Sequence, residues 1–403
     1  MRIAFVTESF LPATDGVVTR LRHTLDELGA FGDEFLIIAP KYGEGPSSYA
    51  GAPIHRVPAV PFPPYPQIKL APPNPSVGSA LRRFRPDLVH VVNPFVLGAS
   101  GVFYARRMGA PLVASYHTNV TVYARFYGLG FLGGLGRRWV RALHNRARIN
   151  LCTSETTQEY LESEGVRGVR FWPQGVDARR FHPDKLSKDL RVRLSGGSPG
   201  ERLLLYVGRL GHEKNIAGLK GVLSGVPGTR LAIVGDGPAR GELEREFRGT
   251  PTVFAGMLQG EELAQAYASA DAFVFPSTTE TLGLAMIEAL ASGLPVIAAR
   301  SGATHEVVSE GESGFLYDPG SVESMVSAVR RVLADEDTRL RLSDGHVPRP
   351  RDGPGRRRRP PFAVTTGRPW RDEGEGDRLG GSPDASPSSR WSASSTPSWT
   401  LRC

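Results

Sequence analysis

At 403 residues, with 40% hydrophobic and 22% charged side chains, the chain is too long for one ordinary core and has the composition of a two-domain globular protein. Its two cysteines, Cys152 and Cys403, lie far apart without metal-ligand spacing, which argues against a disulfide scaffold or zinc site and fits a reducing cytoplasm. Of the formal net charge of +8, residues 346–403 supply eleven arginines against six acids, so the body is close to balanced and its charge is no argument for nucleic-acid binding.

No apolar stretch reaches the roughly 18 residues needed to cross a bilayer. The opening residues 2–7 therefore read as a first strand rather than a signal peptide, and the chain as cytoplasmic or peripheral on the inner membrane face. Short apolar runs then alternate with amphipathic stretches, the pattern of βα units around parallel sheets. In the first half the strands fall at 35–39, 88–92, 112–115, 151–153 and 169–171, with helices near 17–29, 97–108, 137–148 and 155–164. The proline-rich segment 57–75 reads as a surface loop.

A second alternation places strands at 203–207, 231–234, 253–255, 272–275 and 296–298. Helices follow near 239–247, 261–270, 282–292 and 322–335. The string Ser195-Gly196-Gly197-Ser198-Pro199-Gly200 reads as a flexible break between the halves. The expected architecture is α/β: two Rossmann-like domains, 1–185 and 186–345, facing across a cleft. Residues 346–403 hold 9 Pro, 7 Gly and 8 Ser with no lysine, a composition that cannot offset chain entropy by burial, so disorder is expected. Either out-of-frame translation of a GC-rich gene or a native arginine-rich tail accounts for it.

The second half carries the strongest chemical signal. The strand at 203–207 runs into Gly208-Arg209-Leu210-Gly211-His212-Glu213-Lys214-Asn215, which sets two cations at a strand end. The next strand ends in Gly235-Asp236-Gly237-Pro238, a tight turn that lets backbone approach a ligand. A third strand ends in Pro276-Ser277-Thr278-Thr279-Glu280-Thr281-Leu282-Gly283, with a helix expected from Leu282. Glu288 then lies nearly two turns into that helix, roughly 9 Å along it at 1.5 Å per residue, with Glu280 in the loop before it. N–H groups of Thr281, Leu282 and Gly283 would meet a phosphate at the helix start, with one carboxylate for a sugar and the other for a ribose. A capping glutamate and a solvated one would leave the same pair in the sequence.

Glu280-x7-Glu288, with Gly-Arg-Leu-x-x-Glu-Lys-Asn and Gly-Asp-Gly-Pro upstream, closely resembles the family-4 retaining glycosyltransferases. The resemblance spans residues 1–340 and implies a GT-B fold, a nucleotide-sugar donor and retention of anomeric configuration. By that likeness Arg209 and Lys214 hold the diphosphate, Glu280 the donor sugar and Glu288 the ribose. Met257 and Leu258 sit where such enzymes enclose the nucleobase. Asp15-Gly16-Val17 resembles the family's glycine loop, with Asp15 in place of a glycine but Gly16 kept. His117, in Ser115-Tyr116-His117-Thr118, resembles the strand-end histidine near the donor sugar.

A finer likeness concerns the acceptor. Gly175-Val176-Asp177, Phe181-His182-Pro183, Gly256-Met257-Leu258-Gln259-Gly260-Glu261-Glu262-Leu263 and Gln265-Ala266-Tyr267-Ala268-Ser269 resemble the sulfoquinovosyltransferases, which use UDP-linked donors and diacylglycerol. Gly211–Asn215 and Ser277–Glu280 differ from that pattern. Lipid glucosyl-, galactosyl- or mannosyltransferases, including GDP-mannose-dependent ones, therefore remain open. Aromatic residues in 125–132 beside basic Arg137, Arg138 and Arg141 suit an anionic membrane surface, and also suit a half-buried helix with a solvated basic face. The one Asp-x-Asp match, Asp335-Glu336-Asp337, ends a surface helix; with two fixed cations available, metal-independent transfer without a cofactor is expected. A weak nucleotide-sugar-binding protein, and an epimerase or phosphorylase of the same architecture, are the rival readings.

Overall fold

The first strand, Arg2–Thr7 (β1), is buried on both faces because helices cover both sides of the sheet it centres, which is why it reads as a nearly unbroken apolar run. The computed structural model describes residues 1–13, 15–62, 65–118, 131, 133–173, 175–334 and 363–365. These all fall within one compact unit, Met1–Thr366. Around β1 stand Glu34–Pro40 (β2), Ser48–Tyr49 (β3) and Ala52–Val57 (β4) on one side. On the other stand Leu88–Val92 (β7), Leu112–Tyr116 (β8), Ile149–Cys152 (β9) and Val169–Phe171 (β10), separated in sequence from β4 by a hairpin of Val60–Phe62 (β5) and Tyr65–Leu70 (β6). The sheet order is β10-β9-β8-β7-β1-β2-β4-β3, parallel except for the β3–β4 pair.

A short strand Gly175–Asp177 (β11) precedes the second sheet. That sheet comprises Arg202–Val207 (β12), Thr229–Val234 (β13), Thr252–Gly256 (β14), Ala272–Phe275 (β15), Val296–Ala299 (β16) and Gly314–Tyr317 (β17), in the order β14-β13-β12-β15-β16-β17, all parallel. Alternate residues of one strand feed two separate cores. Leu203 and Leu205 pack on one face of β12 and Leu204 and Tyr206 on the other. In β1, Ala4 and Val6 face one layer while Ile3 and Phe5 face the opposite one.

Both sheets reverse their strand order at the point that matters for binding. In the first, β2 and β7 flank β1; in the second, β13 and β15 flank β12. A crevice opens beyond the carboxyl ends of the strands at such a switch point, where neighbouring connections leave in opposite directions. The loops after β1, β7 and β8, and those after β12, β13 and β15, are therefore the ones the fold delivers to a cleft.

Two expectations need correction. The segment 57–75 is not a plain loop: β5 and β6 pair antiparallel across it, and a helix begins at Pro75. The string 195–200 is not the break between halves. It ends a helix of the second lobe, Lys188–Leu194, whose terminal N–H groups turn back onto the helix, Gly197 N–H bonding Val192 O at 2.9 Å. By packing, Val176 and Phe181 already belong to the second core, and the chain crosses to it ahead of them. Arg20 pins that crossing: its guanidinium lies 3.8 Å from the Trp172 ring centre and donates to the carbonyls of Trp172 and Pro173. In the tail, the residues described, Ala363–Thr365 (β18), form a strand parallel to β11.

Candidate active site

The second lobe assembles its charged groups in pairs. Arg209 follows β12 and is ion-paired with Glu213, four residues on and fully buried. Lys214 ends the single 3-10 turn His212–Lys214, is 8% exposed, and is ion-paired with Glu280 in the loop after β15. Ser277 Oγ donates to the same Glu280 oxygen at 3.1 Å. Burial pushes the Glu280 carboxyl up, but Lys214, Ser277 and Arg209 together outweigh it, and the group is held below its ordinary pKa. Glu280 is therefore an ionised acceptor at neutral pH, fixed by groups from two different loops.

Glu288 lies on the helix Leu284–Ala291 and accepts from Tyr267 Oη at 2.9 Å. Burial pushes its pKa up to about 7, against the opposing pull of the Tyr267 hydrogen bond and the Arg180 charge. The two carboxylates of the Glu-x7-Glu motif thus differ in character: one permanently charged, one poised to titrate near neutrality.

The helix begins two residues later than the sequence implies. Leu284 is its first residue, preceded by Gly283 with φ +86°, and no side chain caps it. A Cβ at Gly283 would lie 2.6 Å from Met286 Cε, so the turn needs glycine. First-turn N–H groups therefore start at Leu284 rather than at Thr281, Leu282 and Gly283. Leu282 turns its side chain into the core, and the Thr281 carbonyl is engaged elsewhere. Gly16 of the first lobe stands opposite this helix start, a Cβ built on it coming within 3.7 Å of Leu284 Cδ1. An uncapped helix start facing a glycine of the other lobe, with Glu280, ion-paired with Lys214, in the loop before it, is suited to an anionic group.

Gly235 (φ +135°) has a packing reason of its own. A Cβ there would sit 1.9 Å from the Gly208 carbonyl oxygen, so the turns after β12 and β13 touch backbone to backbone. Leu210 N–H bonds Asp236 O at 2.9 Å and completes the clamp. Of the residues expected around a base, Met257 is half exposed while Leu258 packs into the core, which leaves Met257 as the side chain open to a ligand.

The first lobe contributes neutral groups. His117 Nε2 and His90 Nε2 each lie 2.9 Å from Ser115 Oγ, so one hydroxyl bridges two imidazoles. Burial first, then the Arg20 charge, drives both histidines well below their ordinary pKa, His90 to about 3. The His117 backbone is fixed as well: its N–H donates to Asn93 Oδ1 at 3.3 Å and its carbonyl accepts from Thr281 Oγ1 at 2.8 Å across the lobes. His117 and Glu280 are thereby brought onto adjoining loops. Asp15, where a glycine was expected, caps the helix Gly16–Ala30 by accepting from Val18 N–H at 2.8 Å.

Several residues were not visible to motif reading. Glu8 accepts from four successive N–H groups, Phe95 to Gly98, at 2.7–3.1 Å and seals the start of the helix Leu97–Arg107. Its only signal in sequence is an acid just after a buried strand. Tyr267 and Arg20 support their partners through contacts distant in sequence. On the helix Gly133–His144, Arg137 pairs with Glu164 at 3.4 Å and Trp139 Nε1 donates to Phe95 O at 2.8 Å while remaining 45% exposed. Residues 125–130, Leu132 and Asp335–Asp337 lie outside the described residues. Among those described, no helix is long and apolar enough to cross a membrane.

Comparison with known proteins also divides the chain in two, between residues 180 and 193. Residues 14–180 match the family model described as Glycosyltransferase Family 4, and 193–345 that described as Glycosyl transferases group 1. The chain is 39% identical over 346 residues to the Arabidopsis thaliana sulfoquinovosyl transferase SQD2, covering 84% of this chain and 68% of that protein. It is 38% identical over 339 residues to a GDP-mannose-dependent alpha-mannosyltransferase of Corynebacterium glutamicum, covering 83% and 81%. It is 29% identical over 333 residues to the alpha-monoglucosyldiacylglycerol synthase of Streptococcus pneumoniae, covering 79% and 75%. Among solved structures, sucrose-phosphate synthase from Thermosynechococcus elongatus superposes with a TM-score of 0.72 at 23% identity, covering 86% of this chain and 92% of that one.

Proposed function

The chain belongs to the family-4 glycosyltransferases of GT-B architecture, and from that premise we propose that it moves a hexose-type sugar, with retention, from a nucleotide sugar to a membrane lipid such as diacylglycerol. The observation that carries this reading is the Lys214–Glu280 pair, braced by Ser277 and set beside an uncapped helix start that faces Gly16. Arg209 and Lys214 follow the carboxyl end of β12, the end of the sheet at which a departing diphosphate would develop charge.

In this proposal the diphosphate leaves from one face of the sugar and takes the proton of the acceptor hydroxyl on that same face. Glu280 accepts from the sugar hydroxyls, Glu288 from the ribose, and Met257 borders the base. His117, held neutral, can donate or accept one hydrogen bond at the sugar without adding charge. Arg209 and Lys214 supply the fixed positive charge that a metal would otherwise bring, so the transfer proceeds without one.

UDP is the proposed nucleotide, supported by the motif likeness to sulfoquinovosyltransferases. The nearly equal identity to a GDP-mannose-dependent enzyme supports a second reading, mannosyl transfer from GDP. A lipid acceptor is supported by the diacylglycerol-directed relative and by exposed Leu135 and Trp139 on the same helix as Arg138 and Arg141. Incubation with UDP-glucose, UDP-galactose, UDP-sulfoquinovose or GDP-mannose and vesicles containing diacylglycerol, read by lipid mass spectrometry, tests the set. A glycolipid from a UDP donor is expected; product from GDP-mannose alone selects the second reading. Sugar released only to water would overturn the lipid acceptor.

A further inference from the structure

Beside the site, the lobes are joined by a chain of contacts that ends on one carboxylate. Glu306, in the short helix Thr304–Val307 of the second lobe, accepts from Glu155 N–H at 2.8 Å through Oε2. Its Oε1 accepts from Thr156 N–H at 2.8 Å and from Thr156 Oγ1 at 2.5 Å. Glu155 and Thr156 open the first-lobe helix Glu155–Ser163, whose own cap, Ser154, takes only Thr157 N–H. The orphan donors of that first turn are thus shared between a cap in their own lobe and a carboxylate delivered by the other.

The same turn reaches the site. Thr153 Oγ1 and Thr157 Oγ1 both donate to the Thr281 carbonyl at 3.3 Å, and Thr281 Oγ1 donates to the His117 carbonyl at 2.8 Å. Thr281 is the immediate neighbour of Glu280. Fixing the helix start therefore fixes the loop that carries Glu280, and with it the place where that loop meets His117.

We propose that Glu306 is a positioning residue for sugar transfer: by docking on the first turn of the helix Glu155–Ser163, it sets the register in which the Glu280 loop meets His117. This rests on the reading of Glu280 and His117 as donor-sugar contacts. Glu306 acts through the helix, not on the sugar. Its three charge-assisted bonds join segments about 150 residues apart, and a carboxylate at a helix start gains from the dipole as well as from the N–H groups.

Arg209, Lys214, Glu280 and Glu288 all reside in the second lobe, so nucleotide affinity and lobe docking can be separated. In Glu306→Ala, the dissociation constant for UDP or GDP, measured by calorimetry on the full chain, should change by less than about twofold. Turnover should fall about ten- to hundredfold, the scale expected from a misplacement near 1 Å. Glu306→Gln should recover little, because its NH2 group would face a backbone N–H.

Thr156→Val removes only the hydroxyl. Its effect on turnover should be strongly less than additive with that of Glu306→Ala. A dye pair with one label on each lobe gives a readout independent of turnover: the distance distribution should broaden in Glu306→Ala. An unchanged distribution, unchanged turnover, or strict additivity with Thr156→Val would overturn the proposal. Were the wild-type chain to transfer no sugar, the reading of the site would fail, while the distance measurement would still decide whether Glu306 docks the lobes.

Discussion

The two lobes share a fold but build their halves of the cleft from opposite materials. The second lobe uses charge: Lys214 with Glu280, Arg209 with Glu213, and a carboxyl at Glu288 that titrates near neutrality. The first lobe uses groups kept neutral by burial, His117 and His90 bridged by Ser115, with Arg20 spent on the crossing between lobes. Charge can be held in a cleft only where each ion has a partner, and the second lobe provides those partners before any ligand arrives. The contrast assigns grip and transition-state charge to one lobe, and alignment to the other.

Glu280→Gln tests this assignment most severely. Turnover should fall by about 10²–10³, the usual scale for losing one preorganised electrostatic contact. The unfolding temperature should move far less, because the side chain adds little to either core. Normal turnover would remove Glu280 from the site. Next in size is a paired contrast between lobes. Lys214→Ala should lower turnover about a hundredfold and also weaken nucleotide binding, whereas His117→Ala should lower turnover ten- to a hundredfold with nucleotide affinity intact. Equal losses of nucleotide affinity in both variants would erase the division of labour.

A smaller effect belongs to pH. With Glu288 near 7, donor affinity measured by calorimetry should fall about tenfold from pH 8 to pH 6, because only the carboxylate accepts from two ribose hydroxyls. Glu288→Gln should flatten that slope. Stability runs the other way. A pKa raised on folding gives stabilisation that is complete below the ordinary carboxyl range and is lost as pH rises through about 7. Donor binding and the Glu288 contribution to folding should therefore show opposite pH slopes, and both contributions should be lost in the variant. The smallest expected change is none at all: EDTA should leave the rate of the purified enzyme untouched, and abolished activity would transfer the work of the second-lobe cations to a metal.

Much of the frame could be read in advance because strand ends and local motifs are local facts. Arg2–Thr7, Leu88–Val92 and Ala272–Phe275 are bounded by residues that stop a buried strand, and Arg209 with Glu213 is legible from a spacing of four. The Lys214–Glu280 pair is not, since its members are 66 residues apart and meet only because β12 and β15 are neighbours. Glycine, serine and proline at 195–200 imitate a linker, yet they end a helix inside the second lobe; composition reports local conformation, not which core a segment joins. Proline-rich 57–75 misleads similarly, because prolines at a two-stranded edge need no partner for the missing N–H. A strand end followed by an apolar run leads one to expect the helix from Leu282, whereas the left-handed turn at Gly283 delays it and sends the Leu282 side chain inward.

The interlock between Gly235 and the Gly208 carbonyl carries a consequence for how such a protein can diverge. Any methyl group at position 235 must shove the peptide that precedes Arg209, so the seat proposed for the phosphates cannot drift without dismantling two turns at once. Variation in what the enzyme recognises is thereby channelled to the rim, to side chains such as Met257 and to loops of the opposite lobe. A lineage could exchange one sugar or base for another there while the anchor beneath stays put.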